Sequence, residues 1–186
     1  FENAVEDEFG VKYSKDWKRL LEAPRSLSGK YSIRKGVKVI GNGAFTFCRS
    51  LTNINIPNGV TYIGYNAFSD CSSLTNINIP NSVTNIGDAA FSGCSSLTNI
   101  NIPNGVTNIG ENAFGNCVNL SSISIPRSVI SISSSAFDHC AITNIYIQDL
   151  STYCEYDAYI FSGTNYDGKN CLYVNGNLVT NLVIPN

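Results

Sequence analysis

Methionine is absent from this chain of 186 residues, histidine and tryptophan occur once each, and Asp, Glu, Lys and Arg together make up only 14% of it. Each scarcity narrows the reading. A chain without even an initiator methionine points to a processed protein or a cut fragment, which leaves room for a signal peptide removed upstream. No apolar run approaches the roughly 20 residues needed to span a bilayer. The first eight residues, Phe1 to Glu8, are acidic where a signal peptide would be basic and then apolar. Direct membrane insertion is not expected. The net charge of −2 and a pI near 5.3 give no electrostatic footprint for nucleic acid or an anionic membrane. What remains is a chain long enough for one domain, with 43% hydrophobic residues to build a core.

That hydrophobic content is periodic. Cys48, Cys71, Cys94, Cys117 and Cys140 recur every 23 residues, and Phe45, Phe68, Phe91, Phe114 and Phe137 keep the same step. On this register Leu51, Ile54 and Ile56 return as Leu74, Ile77 and Ile79, then Leu97, Ile100 and Ile102, then Leu120, Ile123 and Ile125. After one deletion they return again as Ile142, Ile145 and Ile147. Within a unit Ile54-Asn55-Ile56 alternates apolar and polar, the signature of a strand with one buried face. Pro57, Pro80, Pro103 and Pro126 follow at once, and a residue with no N–H marks the end of a ladder. A turn with Val60 and Ile63 comes next, then Gly64, Gly87 and Gly110, where the backbone needs positive φ or close packing; Ser133 breaks that column. Ala67-Phe68-Ser69-Asp70-Cys71 and its equivalents are apolar at i, i+1 and i+4, which predicts a short helical turn facing inward.

A single unit cannot bury its own apolar edges, so neighbours must stack. The predicted fold is an α/β repeat solenoid of 23-residue units. One parallel β-sheet lines the concave face, short helical turns lie opposite, and β-hairpins cap the ends. Counting Tyr31-Ser32-Ile33 at the start and Leu182-Val183-Ile184 at the end gives about seven rungs, and a sheet on the order of 30 Å. The expected division is 1–28 as an N-terminal capping segment, 29–148 as repeats, and 149–186 as an aromatic loop, a hairpin and the start of a further repeat.

The unit Leu-x-x-Ile-x-Ile-Pro-x-x-Val-x-x-Ile-Gly-x-x-Ala-Phe-x-x-Cys, carried by Lys30 to Gln148, resembles the BspA-like class of leucine-rich repeats. Many members of that class are surface proteins of host-associated bacteria and of some protist parasites. Two flanking pieces look like modules that accompany such repeats in gut-type Bacteroidetes proteins. The first runs from Phe9 to Leu21 and looks like a capping hairpin, with Trp17 where glycine is usual, so that a tight primed turn is not expected. The second, Leu172-Tyr173-Val174-Asn175-Gly176-Asn177-Leu178-Val179, carries the Asn-Gly hairpin signal. It leads into Thr180 to Asn186, which aligns with Thr52 to Asn58. Either this last strand caps the stack or the array runs on, and the second reading is preferred.

Few residues offer chemistry. His139, beside Asp138, sits where other units have Asp70, Gly93 and Asn116, as a solvent-exposed variable position does. A nucleophilic pair of His139 and Cys140 is disfavoured because adjacent side chains rarely face one another and the cysteine column is expected to be buried. No HExxH, GxSxG or phosphate-binding glycine loop occurs. The stacked cysteines point the same way about one rung apart, farther than the ~3.8 Å a disulfide wants between β-carbons, and are expected as free thiols. Cys154 and Cys171 lie outside the ladder, where a disulfide stays open; with seven cysteines at least one is unpaired in a monomer. No cofactor or metal is expected, and the protein is not expected to be an enzyme. A carbohydrate-active enzyme would need clustered carboxylates on one sheet face, and the strands carry Asn, Ser and Thr.

Two regions are candidates for binding. The outward strand positions Asn53, Asn55, Asn76, Asn78, Asn99, Asn101, Ser122, Ser124, Asn144 and Tyr146 form a polar face on which amides could grip a protein or glycan, or merely satisfy one another. The second is a tyrosine-rich segment with Tyr153, Tyr156, Tyr159 and Tyr166, which either makes contacts or covers the end of the core. The family resemblance implies an exported, cell-surface adhesion or interaction module, monomeric, that meets a protein or glycan on host or neighbouring bacterial cells. A spacer within a larger surface protein is the alternative.

Overall fold

The computed structural model describes residues 3–148, 171–174 and 176–178, of which 171–174 and 178 by backbone only. Tyr153, Tyr156, Tyr159, Tyr166, the Cys154–Cys171 pairing and Leu182 to Ile184 lie outside the described residues.

An antiparallel meander opens the chain: β1 (Val5–Glu6), β2 (Lys12–Tyr13) and β3 (Arg19–Glu22). Its second loop is longer than a tight primed turn. Ser14 donates its N–H to Arg19, Trp17 donates to Ser14, and Trp17 takes a left-handed φ of 59°. That φ is costly for a bulky residue. The ring is held by Tyr13 at 5.2 Å and by the Arg34 guanidinium at 4.2 Å.

Coils then follow, the first five with two strands each. The longer ones are β4 (Ser28–Ser32), β6 (Ser50–Asn55), β8 (Asn76–Asn78), β10 (Asn99–Asn101), β12 (Ser122–Ile125) and β14 (Asn144–Ile147). The shorter ones are β5 (Val39–Ile40), β7 (Tyr62–Ile63), β9 (Asn85–Ile86), β11 (Asn108–Ile109) and β13 (Ser131–Ile132). Except between β8 and β10, they pair in parallel from coil to coil, Ile54 beside Ile77 on one side and Ile63 beside Ile86 on the other. The solenoid therefore carries parallel sheet on two sides, not one. What the apolar pattern suggested was a turn around Ile63 is a two-residue strand, too short for alternation to reveal. The short strands continue from β3 into one eight-stranded sheet. The long strands form two sheets, because β8 and β10 lie side by side without a ladder between them.

Among the described residues there is no helix, which corrects the α/β expectation of helical turns. The reason lies in where the N–H groups go. In the Ala-Phe-x-x-Cys stretch, Phe68 donates to Ala90 and Asp70 to Ser92 of the next coil, while Ser69 and Cys71 close local turns on Asn66 and Phe68. A helix would send every donor back four residues. Positive φ at Asn66 and Asp70 also breaks helical propagation. The same left-handed position is taken by Phe47, Gly93, Asn116 and His139, so the variable column is limited largely to residues that tolerate it, Phe47 being the exception. These turns form a third hydrogen-bonded side of the coil.

The core is one continuous column from Val11 to Ile147. The phenylalanines stack almost parallel, with centroids 5.0 to 5.5 Å apart. At the far end the backbone of β15 (Cys171–Val174) lies parallel to β14, and β16 (Asn177–Leu178) returns antiparallel, two residues later, with Gly176 at a φ of 79°. The strand after β14 is thus Cys171–Val174.

Candidate binding surfaces

The period-2 pattern of the long strands turns isoleucines inward and leaves the intervening residues outside. Asn53 stands beside Asn76 and Asn55 beside Asn78. Across the break, Asn99 stands beside Ser122 and Asn101 beside Ser124, which in turn adjoin Asn144 and Tyr146. The ten residues thus fall into two groups on one side of the coil. Asn55, Asn76, Asn78, Asn99, Asn101 and Tyr146 are exposed, and Asn53, Ser122, Ser124 and Asn144 are half-buried.

Hydroxyls next to these columns are used internally. Thr75 donates through Oγ1 to the Thr52 carbonyl at 3.2 Å, and Ser121 through Oγ to Thr98. The asparagines behave otherwise. Asn99 and Asn144 donate through Nδ2 to the neighbouring Thr98 and Thr143 hydroxyls at 3.3 Å. Among the described residues no hydrogen bond joins the asparagine amides of one coil to those of the next. The mutual satisfaction of stacked amides is not how this face is built.

The cysteines are buried free thiols. Cys71, Cys94, Cys117 and Cys140 each donate an S–H to the phenylalanine carbonyl of the preceding coil, at 3.1, 3.2, 3.2 and 3.0 Å. Burial pushes Cys48 up to about 11 and Cys94 up to about 12. Cys117 is raised by its contact with the Cys140 thiol and by burial. Thiolate, the reactive and metal-binding form, is therefore disfavoured at Cys48, Cys94 and Cys117. Of the seven cysteines, a thiol reagent such as DTNB should find at most Cys154 and Cys171 in the native protein, and the five ladder thiols only on unfolding. A native count above two would mean that the ladder opens. His139 is exposed. Among the described residues no three His, Cys, Asp or Glu side chains gather as a metal site requires.

The short-strand side carries a groove of about 420 Å³, bordered by Tyr62, Tyr65, Asp88 and Glu111. Sequence reasoning missed this surface together with the second sheet. It also missed a segregation of charge. All lysines and arginines except Arg127 and Lys169 lie between Lys12 and Arg49, against only Asp16 and Glu22, and none falls between Ser50 and Pro126. Charge summed over the chain hides this; charge counted by segment reveals it. Arg25 and Arg49 flank the Phe47 ring at 5.2 and 5.3 Å. Among the described residues the one salt bridge is Lys12 to Glu22, at 2.9 Å.

A model of the BspA type leucine rich repeat region matches residues 30–167, in six copies. No curated protein matches. Among solved structures, a leucine rich cell surface protein of Faecalibacterium prausnitzii is 34% identical, with a TM-score of 0.78, over 82% of this chain and 41% of its own. A leucine rich repeat protein of Treponema pallidum is 26% identical, with a TM-score of 0.67, over 76% of this chain and 71% of its own. The pneumococcal vaccine antigen PcpA is 20% identical, with a TM-score of 0.72 over 92% of this chain and 48% of its own, and shares the fold. The chain thus spans less than half of the Faecalibacterium protein. With the coils, their 23-residue step and the family match in agreement, the chain belongs to the BspA-type leucine-rich repeat family.

Proposed function

We propose that the chain is a non-catalytic interaction module of an exported, cell-surface protein, and that it attaches to a protein or glycan on host or neighbouring cells through its long-strand side. The observation that carries this is the row of exposed asparagine amides unlinked from coil to coil, fixed by ladders at rungs of about 4.8 Å. Each amide offers two donors and an acceptor. A rigid backbone presents them already ordered, so little freedom is lost on contact. Uniform columns favour repeated weak contacts over one exacting site. Tyr153, Tyr156, Tyr159 and Tyr166 belong to the proposal as a second contact area. Cell-surface placement is supported by the name of the Faecalibacterium relative.

The near identity of successive coils also favours a second reading, a spacer within a longer surface protein. Both are tested by binding the purified chain to extracellular-matrix proteins, bacterial surface proteins and neutral glycans, alongside a variant with Asn76, Asn78, Asn99 and Asn101 all changed to lysine. Saturable binding that the variant loses, with its circular dichroism unchanged, is the expected result. Binding kept in full by the variant would remove the long-strand side from the proposal, and no binding to any probe would favour the spacer.

A further inference from the structure

The first coil departs from its successors at positions where, Arg34 on the Trp17 ring apart, the fold makes no demand. Its turn after the long strand reads Arg34-Lys35-Gly36, where the next coils have Pro57-Asn58-Gly59, Pro80-Asn81-Ser82 and Pro103-Asn104-Gly105. The turn closes the same way in each: Val37 donates to the Arg34 carbonyl at 3.4 Å as Val60 does to Pro57. Lys38 stands where later coils have Thr61, Thr84 and Thr107, and donates its N–H to Lys18 as Thr61 donates to Lys38. Neutral residues thus build the same geometry, and the cations are additions to it.

These additions converge. The Lys18 ammonium reaches over the first turn, within 4.0 Å of where a β-carbon on Gly36 would stand. The Lys38 ammonium does the same one coil later, 3.2 Å from the corresponding place on Gly59. Arg34 lies on the Trp17 ring yet is exposed, as is Lys35 beside it. The nearest acid in sequence, Asp16, is engaged by the Ser14 hydroxyl at 2.6 Å and the Lys18 N–H at 3.1 Å. Among the described residues no salt bridge involves Lys18, Arg34, Lys35 or Lys38.

We propose that this corner of the first coils, Lys18, Arg34, Lys35 and Lys38, is a docking site for a sulfated glycan. It is separate from the long-strand asparagines and stands whether or not they bind anything. Cations one rung apart, about 4.8 Å, match a linear polymer with closely spaced negative groups. Permanently charged sulfates need no protonation partner and release counterions when neutralised by lysine and arginine. Single-stranded nucleic acid is disfavoured because bases need free aromatic faces; here Trp17 is covered by Arg34 and Tyr13 is fully buried. Beyond Arg49 the next charges are Asp70, Asp88 and Glu111, and the one later cation of the repeats, Arg127, stands alone, so no second cluster of cations along the repeats competes for a polyanion.

The test measures the chain against immobilised heparin at several NaCl concentrations, with hyaluronan, which lacks sulfate, and phosphatidylserine vesicles as further probes. The variant changes Lys18, Lys35 and Lys38 to glutamine and leaves Arg34 on its ring; Arg127→Gln serves as the distant control. Heparin binding should weaken linearly in log Kd with log salt, and the triple variant should lose about tenfold or more in affinity while its salt slope falls by roughly two to three. Hyaluronan and vesicles should bind more weakly, and Arg127→Gln should bind as the parent does. Absence of heparin binding at low salt, an unchanged triple variant, or vesicles bound as tightly as heparin would each overturn the proposal.

Discussion

Replacing Phe91 by alanine is expected to cost about 3–5 kcal/mol of folding stability, the range for emptying a buried aromatic site. The ring is fully buried and lies between Phe68 at 5.2 Å and Phe114 at 5.3 Å, nearly parallel to both. Truncation removes two ring contacts at once, each worth about 0.5–1.5 kcal/mol beyond the area it buries. The cavity cannot collapse easily, because the flanking backbone is tied across coils at Phe68 to Ala90 and Phe91 to Ala113. Set against a typical total of about 5–15 kcal/mol, the loss takes at least about a fifth of the stability. In a stack whose coils touch only their neighbours, a weak central interface also uncouples the two halves. Urea unfolding should therefore show a lower midpoint and a broadened or split transition, while Phe91→Leu, which fills most of the space, should cost less than about 1.5 kcal/mol. A single transition at the parental midpoint in Phe91→Ala would mean that the ring column is not what holds the coils together.

The same column explains what could be read in advance. Large inward residues at a fixed step leave a strong trace in sequence, and Phe91, Cys94, Leu97, Ile100 and Ile102 are all buried where the period put them. The prolines at strand exits are equally plain, since a missing N–H has one consequence. Tyr62–Ile63 was hidden because two residues are too few to alternate, and its strand character comes entirely from the coils on either side. Ala67 to Cys71 was misread because an apolar pair followed by a buried cysteine fits a helical turn as well as two consecutive tight turns. What decides is the donation from Phe68 to Ala90, a contact 22 residues away that no local pattern encodes.

The candidate sites divide along the same line. Asn76 and Asn99 were placed outward correctly because alternation fixes the face of a strand. The break between β8 and β10 had no sequence signal, since Asn-Ile-Asn is identical in the two coils. The basic corner was legible and was lost to averaging: a net charge of −2 sums a cationic stretch from Lys12 to Arg49 with acids before and after it.

Gly87 carries the other large effect, and its sign depends on a distance. At a site free of contacts, glycine to alanine stabilises by about 0.4–1 kcal/mol through the unfolded chain. Here a β-carbon on Gly87 would stand 2.8 Å from the Tyr65 nitrogen and 2.9 Å from the Gly64 carbonyl carbon. Both are backbone atoms of the preceding coil and cannot rotate away. Gly64 repeats the pattern against Asn42 and Gly41, and Gly110 against Asp88, none of them with positive φ. Of the two reasons for glycine in this column, close approach is therefore the one that applies. Gly87→Ala should force the short-strand side apart, weaken the bonds from Gly87 to Ile63 and from Ala90 to Gly87, and cost about 1–3 kcal/mol in overpacking. For a chain of this size each kcal/mol lowers Tm by about 2–4 °C. Thermal unfolding followed by circular dichroism reads this directly. A Tm equal to the parent's or above it would show that the coils separate freely on that side, and that the glycine column reflects repetition alone.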